Sequence, residues 1–357
     1  MISIYFVGDI MLSRNVGNKI DKGELNFFEP IKDILKEADI LCGNLESPIS
    51  DNAMKIGSFR ASTNSIDIIK MFHILNLANN HIYDCGSEGI RDTLSVLKKH
   101  NILSVGIGEN IFEAYKPVIL EHLDEKIAFI GCTTYKLFQG IKNYDSRYCI
   151  ATLGIELNKT IEALRKTVDF IVVLVHGGEE FISFPPPSLK KDLESLISKG
   201  ANVIITHHPH VIGGYQLIEC ENSKRLIWYS LGDFLFDAQI KRRRETGILV
   251  INIEKNNIKC FNFIPLYINE NYHLKTADDN LANYIIRRIK NVSEVLKKKD
   301  YRNNYLKLYL KELIEFQKDK YITLFKNREF FFLLKYMLKS LKYTIYILKK
   351  IISGGYK

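Results

Sequence analysis

Three imidazoles fall within four residues at His207-His208-Pro209-His210. Neutral imidazole is a good ligand for a divalent metal, and three such rings cannot all carry charge side by side. Two further clusters have the same texture, Asn79-Asn80-His81 and Val175-His176-Gly177-Gly178. Upstream stand Gly8-Asp9 and Gly43-Asn44-Leu45-Glu46. Five of the nine histidines therefore sit in polar clusters, and each cluster follows an apolar run, at 4–7, 40–42, 74–78, 170–175 and 203–205. Singly, Asp9 reads as a turn or cap residue, Glu46 as an exposed loop residue, Asn79-Asn80 as a turn and His176 as a structural histidine, while the cluster at 207–210 is the strongest single signal. Together, carboxylate, carboxamide and imidazole form the donor set of a site for two hard or borderline divalent cations, which activates water for hydrolysis. Glu46 is a candidate bridging carboxylate, with Asn44 as ligand or support. The bond before Pro209 favours an extended His208, which would project His208 and His210 to the same side.

The elements that must position these groups are short β-branched runs alternating with helical patterns, the signature of an α/β fold. Helices are predicted over 84–100, 157–168 and 188–199, the last after Pro185-Pro186-Pro187. Strands are predicted over 117–122, 126–132, 226–230, 247–254 and 259–266. Segments 248–254 and 258–264, joined through Lys255-Asn256-Asn257, read as a hairpin. Carboxyl ends of strands in such a fold share one edge, so the five clusters can meet. No GxSxG, P-loop, GxGxxG or CxxC pattern competes. Six scattered cysteines read as free thiols of a reducing compartment.

Residues 1–268 form one predicted domain, and 277–357 a basic helical extension with helices over 281–299, 301–318 and 330–352. Residues 285–357 hold 19 Lys and Arg against 6 Asp and Glu, a charge of +13, which leaves −4 for the rest of a chain whose net charge is +9. The basicity thus belongs to the tail and implies no nucleic-acid partner for the site. Segment 330–352 is long enough to cross a bilayer but carries Lys335, Lys339, Lys342, Lys349 and Lys350. The three central lysines would cost on the order of 8–10 kcal/mol in a spanning helix. A helix lying in an anionic membrane interface fits better, the bland reading being a helix packed on the body. With no signal peptide before the first strand, the expectation is a cytoplasmic protein attached peripherally to the inner face of the membrane.

The ordered set Val7-Gly8-Asp9-Ile10-Met11-Leu12-Ser13-Arg14, Gly43-Asn44-Leu45-Glu46-Ser47-Pro48, Leu77-Ala78-Asn79-Asn80-His81, Val175-His176-Gly177-Gly178-Glu179-Glu180-Phe181, Thr206-His207-His208-Pro209-His210-Val211 and Tyr229-Ser230-Leu231-Gly232-Asp233-Phe234-Leu235-Phe236-Asp237 resembles the CapA-type bacterial capsule synthesis, or poly-γ-glutamate biosynthesis, family. The resemblance spans residues 2 to about 240. It implies a metallophosphoesterase-like two-sheet sandwich flanked by helices, with two metal ions (Mn, Fe or Zn). It implies Asp9, Glu46, Asn80, His176, His208 and His210 as ligands and His81 as the acid or transition-state contact. Arg14, Arg60 and His207 become candidates for an anionic substrate, with Asn44, Asn79 and Asp233 as substrate contacts or ligand supports. Departures are Gly177 where the family often has tryptophan, Asp233 where it has asparagine, and Met11 at the histidine of the phosphoesterase Asp-x-His opening. The function so implied is metal-dependent hydrolysis of a phosphoester or anionic polymer in capsule, poly-γ-glutamate or other surface-polymer synthesis. The rival class is a non-enzymatic, membrane-associated subunit of a polymer synthesis or export complex, since a fold does not establish a reaction.

Overall fold

The computed structural model describes residues 1–141, 144–220 and 223–326. In chain order the strands are β1 (Ile2–Ile10), β2 (Ile40–Leu45), β3 (Ile74–Asn76), β4 (Leu103–Val105), β5 (Ile107–Gly108), β6 (Val118–His122), β7 (Glu125–Thr133), β8 (Cys149–Ile150), β9 (Phe170–His176), β10 (Val203–His207), β11 (Tyr215–Cys220), β12 (Ser223–Trp228), β13 (Asp233–Leu235), β14 (Glu245–Glu254), β15 (Asn257–Ile268) and β16 (Leu274–Thr276). One sheet runs β16-β15-β14-β1-β2-β3-β4, with β13 added on β1, and the other runs β11-β12-β10-β9-β7-β6. Strands β1 to β4 are mutually parallel, as are β7, β9, β10 and β12.

The two sheets face each other, and period-two alternation shows it. Ile2, Ile4 and Phe6 of β1 share an apolar cluster with Phe170, Val172 and Leu174 of β9. The intervening Tyr5 and Val7 face a second cluster with Val16, Ile90 and Leu97 from helices on the outside of the larger sheet. Ile171, Val173 and Val175 face a third, with Leu157, Ile161, Leu193 and Leu196 from helices covering the smaller sheet. Strands covered on both faces read as unbroken apolar runs, which is why β9 and β10 were visible in sequence. The architecture is the expected α/β sandwich flanked by helices.

The predicted helices appear as Gly86–Lys99, Ile155–Leu164 and Pro187–Lys199. Proline fits the first turn of the third, where its missing N–H costs nothing, and Gly200 at φ +133° ends it. The hairpin turns on two residues rather than three, because Glu254 pairs with Asn257. Lys255 and Asn256 have φ of 50° and 63°, as a type I′ turn requires. In the extension, helix Asp279–Leu296 starts at Asp278, whose carboxylate caps Leu281 N at 2.8 Å, and helix Tyr301–Lys326 follows. Ile285 and Ile289 enter the inter-sheet cluster, and Val292, Leu296, Tyr301, Tyr305 and Tyr309 cover the smaller sheet. No helix among the described residues is long and apolar enough to cross a membrane. The predicted helix 330–352 lies outside the described residues.

Candidate metal centre

Asp9 ends β1, and the turn that carries it is tightly built. Its N–H donates to Gly232 O at 2.9 Å, and a Cβ on Gly8 would lie 1.9 Å from that same oxygen. Only glycine permits this approach. The approach lets β13 pair with β1, so that Asp9 and Asp233 are register partners, while Asn44 partners Asp9 from β2. Asn44 Nδ2 donates to Asp9 Oδ1 at 2.8 Å, and His208 N donates to Asp9 Oδ2 at 3.1 Å.

The strand ends converge. The rings of His176 and His208 are 4.9 Å apart, and those of His208 and His210 are 5.9 Å apart. His176 Nδ1 lies 3.1 Å from Asn44 Nδ2, and its Nε2 lies 2.8 Å from Asn80 Oδ1. Glu46 Oε1 lies 3.6 Å from His176 Nε2. Asp9, Glu46 and His176 offer ligand atoms within 4.8 Å of one another, as do Asp9, His210 and Asp233, and as do Glu180, His208 and His210. The first two groups overlap at Asp9 and form a site for two divalent cations. Asp9 is shared by these two groups, and His210 by the second and third.

Burial makes this cluster costly without a cation. Asp9, Glu46, His176 and Asp233 are at most 1% exposed, and neither carboxylate oxygen of Glu46 has a hydrogen-bond partner. An unpaired buried carboxylate is among the most expensive groups to hold. Burial, and then the charge of Asp9, push the Glu46 carboxyl well above the usual carboxylate range. Burial would lower His210, but Glu46 and Asp233 outweigh it and raise it well above an ordinary imidazole. Burial would likewise raise Asp9, yet the hydrogen bond and charge of His210 pull it down. Burial, followed by the charges of neighbouring histidines, keeps His176 well below its usual value and brings His208 down to about 4. The donor set therefore offers two neutral imidazoles, His176 and His208, and the orphaned oxygens of Glu46, and it fits divalent cations.

Some of the left-handed backbone of the chain lies at the same place. His208 has φ 98° rather than the extended value expected before proline, and Arg14, Phe181, His210 and Ser230 also have positive φ. Non-glycine residues hold such conformations only where their surroundings enforce them, typically at functional sites.

His81 lies beside this cluster, next to Asn80. Its Nδ1 pairs with Asp84 Oδ2 at 2.9 Å, and Asp84 Oδ2 also accepts Ser58 N and Phe59 N at 2.9 and 2.8 Å. Asn79 braces the turn, with Nδ2 on Leu45 O at 2.7 Å and Oδ1 on His81 N at 3.0 Å. The Arg14 guanidinium is paired with Asp237 and lies over Phe59 and Phe236, at 4.9 and 5.4 Å from the ring centroids. Arg60 is exposed, and its guanidinium donates to Ala53 O at 3.0 Å. His207 needs correction as an anion contact. It is 1% exposed, and its Nε2 is bound to Val7 O at 3.1 Å, so it ties the two sheets together. Three participants escaped the sequence reading: Glu180, Asp84 and Arg243, whose Nε donates to Asp233 Oδ2 at 2.9 Å. Glu180 and Asp84 lie close to recognised histidines, whereas nothing local distinguishes Arg243 among Lys241-Arg242-Arg243-Arg244.

Residues 3–238 match the family model described as bacterial capsule synthesis protein PGA_cap. The chain belongs to this family. It is 31% identical over 299 residues to the PGA biosynthesis protein CapA of Bacillus subtilis (strain 168), covering 81% of this chain and 77% of that one. It is 27% identical over 284 residues to the capsule biosynthesis protein CapA of Bacillus anthracis, covering 75% and 68%. Among solved structures, Haemophilus influenzae NAD nucleotidase aligns with a TM-score of 0.49 at 14% identity, over 89% of this chain and 67% of that one.

Two departures from the family pattern have physical correlates here. A Cβ on Gly177 would lie 2.3 Å from Thr134 Cγ2, so a side chain here requires Thr134 to move. Met11 is fully buried, with its sulfur accepting Ser13 N at 3.1 Å, and it offers the site nothing.

Proposed function

We propose that the chain is a metal-dependent hydrolase, phosphoesterase-like in chemistry, acting on an anionic substrate in the making of a capsule, poly-γ-glutamate or other surface polymer. The observation that carries this reading is the overlap of two carboxylate–imidazole groups at Asp9, with both oxygens of buried Glu46 unpartnered. Asp9, Glu46, Asn80, His176, His208 and His210 would hold the ions. Bound divalent cations would lower the pKa of water and polarise the attacked centre. His81 serves as proton donor or transition-state contact. Asp84 holds its Nδ1 proton, so the proton that moves is at Nε2. Arg14 supplies a positive group for the anionic substrate, positioned between two aromatic rings. The names of the Bacillus relatives support the polymer context.

The test is turnover of a chromogenic phosphomonoester and phosphodiester, and of poly-γ-glutamate, by purified full-length protein supplied with Mn²⁺, Fe²⁺ or Zn²⁺. Activity that vanishes with chelator and in His208→Ala supports the reading. Metal-loaded protein inert on all three favours the non-enzymatic subunit. Attachment of segment 330–352 to the inner membrane face belongs to the same proposal. Liposome flotation decides it, and equal binding of full-length protein and a version ending at Lys326 to anionic vesicles overturns it.

A further inference from the structure

At the end of the sandwich opposite the metal centre lies a second polar cavity, of about 250 Å³. Asp169, just before β9, and Asn202, just before β10, stand in its wall. Both strands start beside this cavity and end at the metal centre, β9 with His176 and β10 with His207. At ~3.3 Å per residue, the seven residues of β9 separate the two places by about 20 Å. Further wall comes from Arg165 after helix Ile155–Leu164, Gly200 after helix Pro187–Lys199, Arg225 of β12 and Lys255 of the hairpin turn.

The lining is net positive, with Arg165, Arg225 and Lys255 against the single acid Asp169. None of the three cations has an ion pair among the described residues. Asp169 is tied to the chain, its Oδ2 accepting Lys126 N at 2.8 Å.

Hydrogen-bond donors are left over as well as charge. Asn202 is only 7% exposed. Its Oδ1 accepts Ile171 N at 2.9 Å, so Nδ2 is what the side chain presents to the cavity. That Nδ2 has no hydrogen-bond partner among the described residues. Arg225 is anchored through Nη1, which donates to Ala201 O at 2.9 Å and to Ile197 O at 3.3 Å. Capping the carbonyls at a helix end explains that half of the guanidinium. It does not explain the other edge, where Nε is buried without a partner and Nη2 has none among the described residues. The Nε–Nη2 edge is the fork with which arginine grips a carboxylate or phosphate by two parallel bonds. The stem of Arg165 lies over Gly200, where an added Cβ would meet Arg165 Cδ at 3.0 Å and Cβ at 3.2 Å. The bare backbone there makes room for this arginine.

We infer that this cavity is an anion-binding site, separate from the metal centre, for the phosphate or carboxylate group of a small molecule. Arg225 grips the group through Nε and Nη2, and Asn202 Nδ2 donates a third hydrogen bond. Arg165 and Lys255, both exposed, supply charge at the mouth. Nothing in this assignment depends on a metal ion.

Equilibrium dialysis of full-length protein in chelator, against radiolabelled inorganic phosphate or radiolabelled succinate, tests it. One anion per chain is expected to bind saturably at millimolar concentration, and the tighter of the two probes tells phosphate recognition from carboxylate recognition. Asn202→Asp keeps the acceptor for Ile171 N but replaces the free donor with a negative charge, so it should abolish binding. Arg165→Gln should weaken binding roughly 10-fold or more, as expected for a lost charged donor. Its side chain is exposed and makes no hydrogen bond among the described residues, so its unfolding midpoint should stay at the wild-type value and guard against misfolding in the first variant. Absence of saturable binding of both probes overturns the inference, as does binding unchanged in Asn202→Asp and Arg165→Gln. Binding lost in His208→Ala and kept in Arg165→Gln would place the anion at the metal centre and overturn it too. Turnover is not read in this experiment, so the hydrolase reading stands or falls separately.

Discussion

The ring of Phe316 lies flat on that of Phe181, with centroids 4.0 Å apart and planes 3° from parallel. Phe181 in turn stands 6.2 Å from the His210 ring and follows Glu180, one of the ligand-capable residues. Close by, Arg242 Nη2 donates to Glu312 Oε1 at 2.6 Å and to Ser183 Oγ at 2.7 Å, while Glu312 Oε2 accepts Ser183 N. Helix Tyr301–Lys326 is thus fastened at two points to the segment that walls the metal centre.

Removing one member of that buried pair should be costly. Glu312→Ala leaves Arg242 charged with no counter-charge, held only by the Ser183 hydroxyl, in a place where both side chains are only 10% exposed. A loss of about 3–5 kcal/mol is expected in urea unfolding. Replacing both residues with methionine should cost clearly less than the single change, and equal costs would show that the charge pair is not what fastens the helix.

Metal uptake should release protons. In the metal-free site Glu46 and His210 have raised affinities for protons, whereas His176 and His208 are lowered and already neutral at pH 7. About one to two protons should therefore leave per protein when both ions bind. Calorimetry of Mn²⁺ binding in buffers of different ionisation enthalpy measures this number. Glu46→Gln should reduce it, and a value of zero contradicts the description of the metal-free site.

The pH dependence of metal-free stability follows from His208. Its imidazole ordinarily titrates near 6.5, and burial followed by the charge of His210 brings it down to about 4. Below pH 6.5 the unfolded chain takes up a proton that the folded chain refuses, so this residue lowers stability as pH falls from 6.5 to about 4. The full effect is on the order of 3 kcal/mol. Urea midpoints measured in chelator should fall across that window, and His208→Asn should flatten the slope by about one proton. An unchanged slope would place His208 in water rather than in the core.

His81 should affect chemistry without affecting metal. His81→Ala is expected to lower turnover by roughly 10²-fold or more at unchanged metal content, the usual range for a lost general acid. Asp84→Asn should lower kcat with little change in KM, because Asp84 sets which ring nitrogen carries the mobile proton. Metal loss in His81→Ala would make that histidine a ligand.

The sandwich was legible because its central strands are covered on both faces, so β1, β9 and β10 appear as apolar runs with polar ends. His176, His208 and His210 were legible because imidazole at a strand end has few cheap structural uses. Strand β13 was not: three residues, Asp233–Leu235, give no periodicity, and its place beside β1 depends on a backbone approach that only coordinates reveal. His207 misled for a related reason. Its neighbours share its chemistry, but β10 ends at His207, where the ring still lies between the sheets on Val7 O. Arg243 escaped because a run of four basic residues ordinarily signals a solvated surface.

The near-contact of Gly8 with Gly232 sets what can be inherited at this centre. A single methyl group at residue 8 would part β1 from β13 and carry Asp9 away from Asp233. Any side chain at residue 8 is therefore closed to this fold, because the pairing that keeps the two aspartates side by side depends on the bare backbone there.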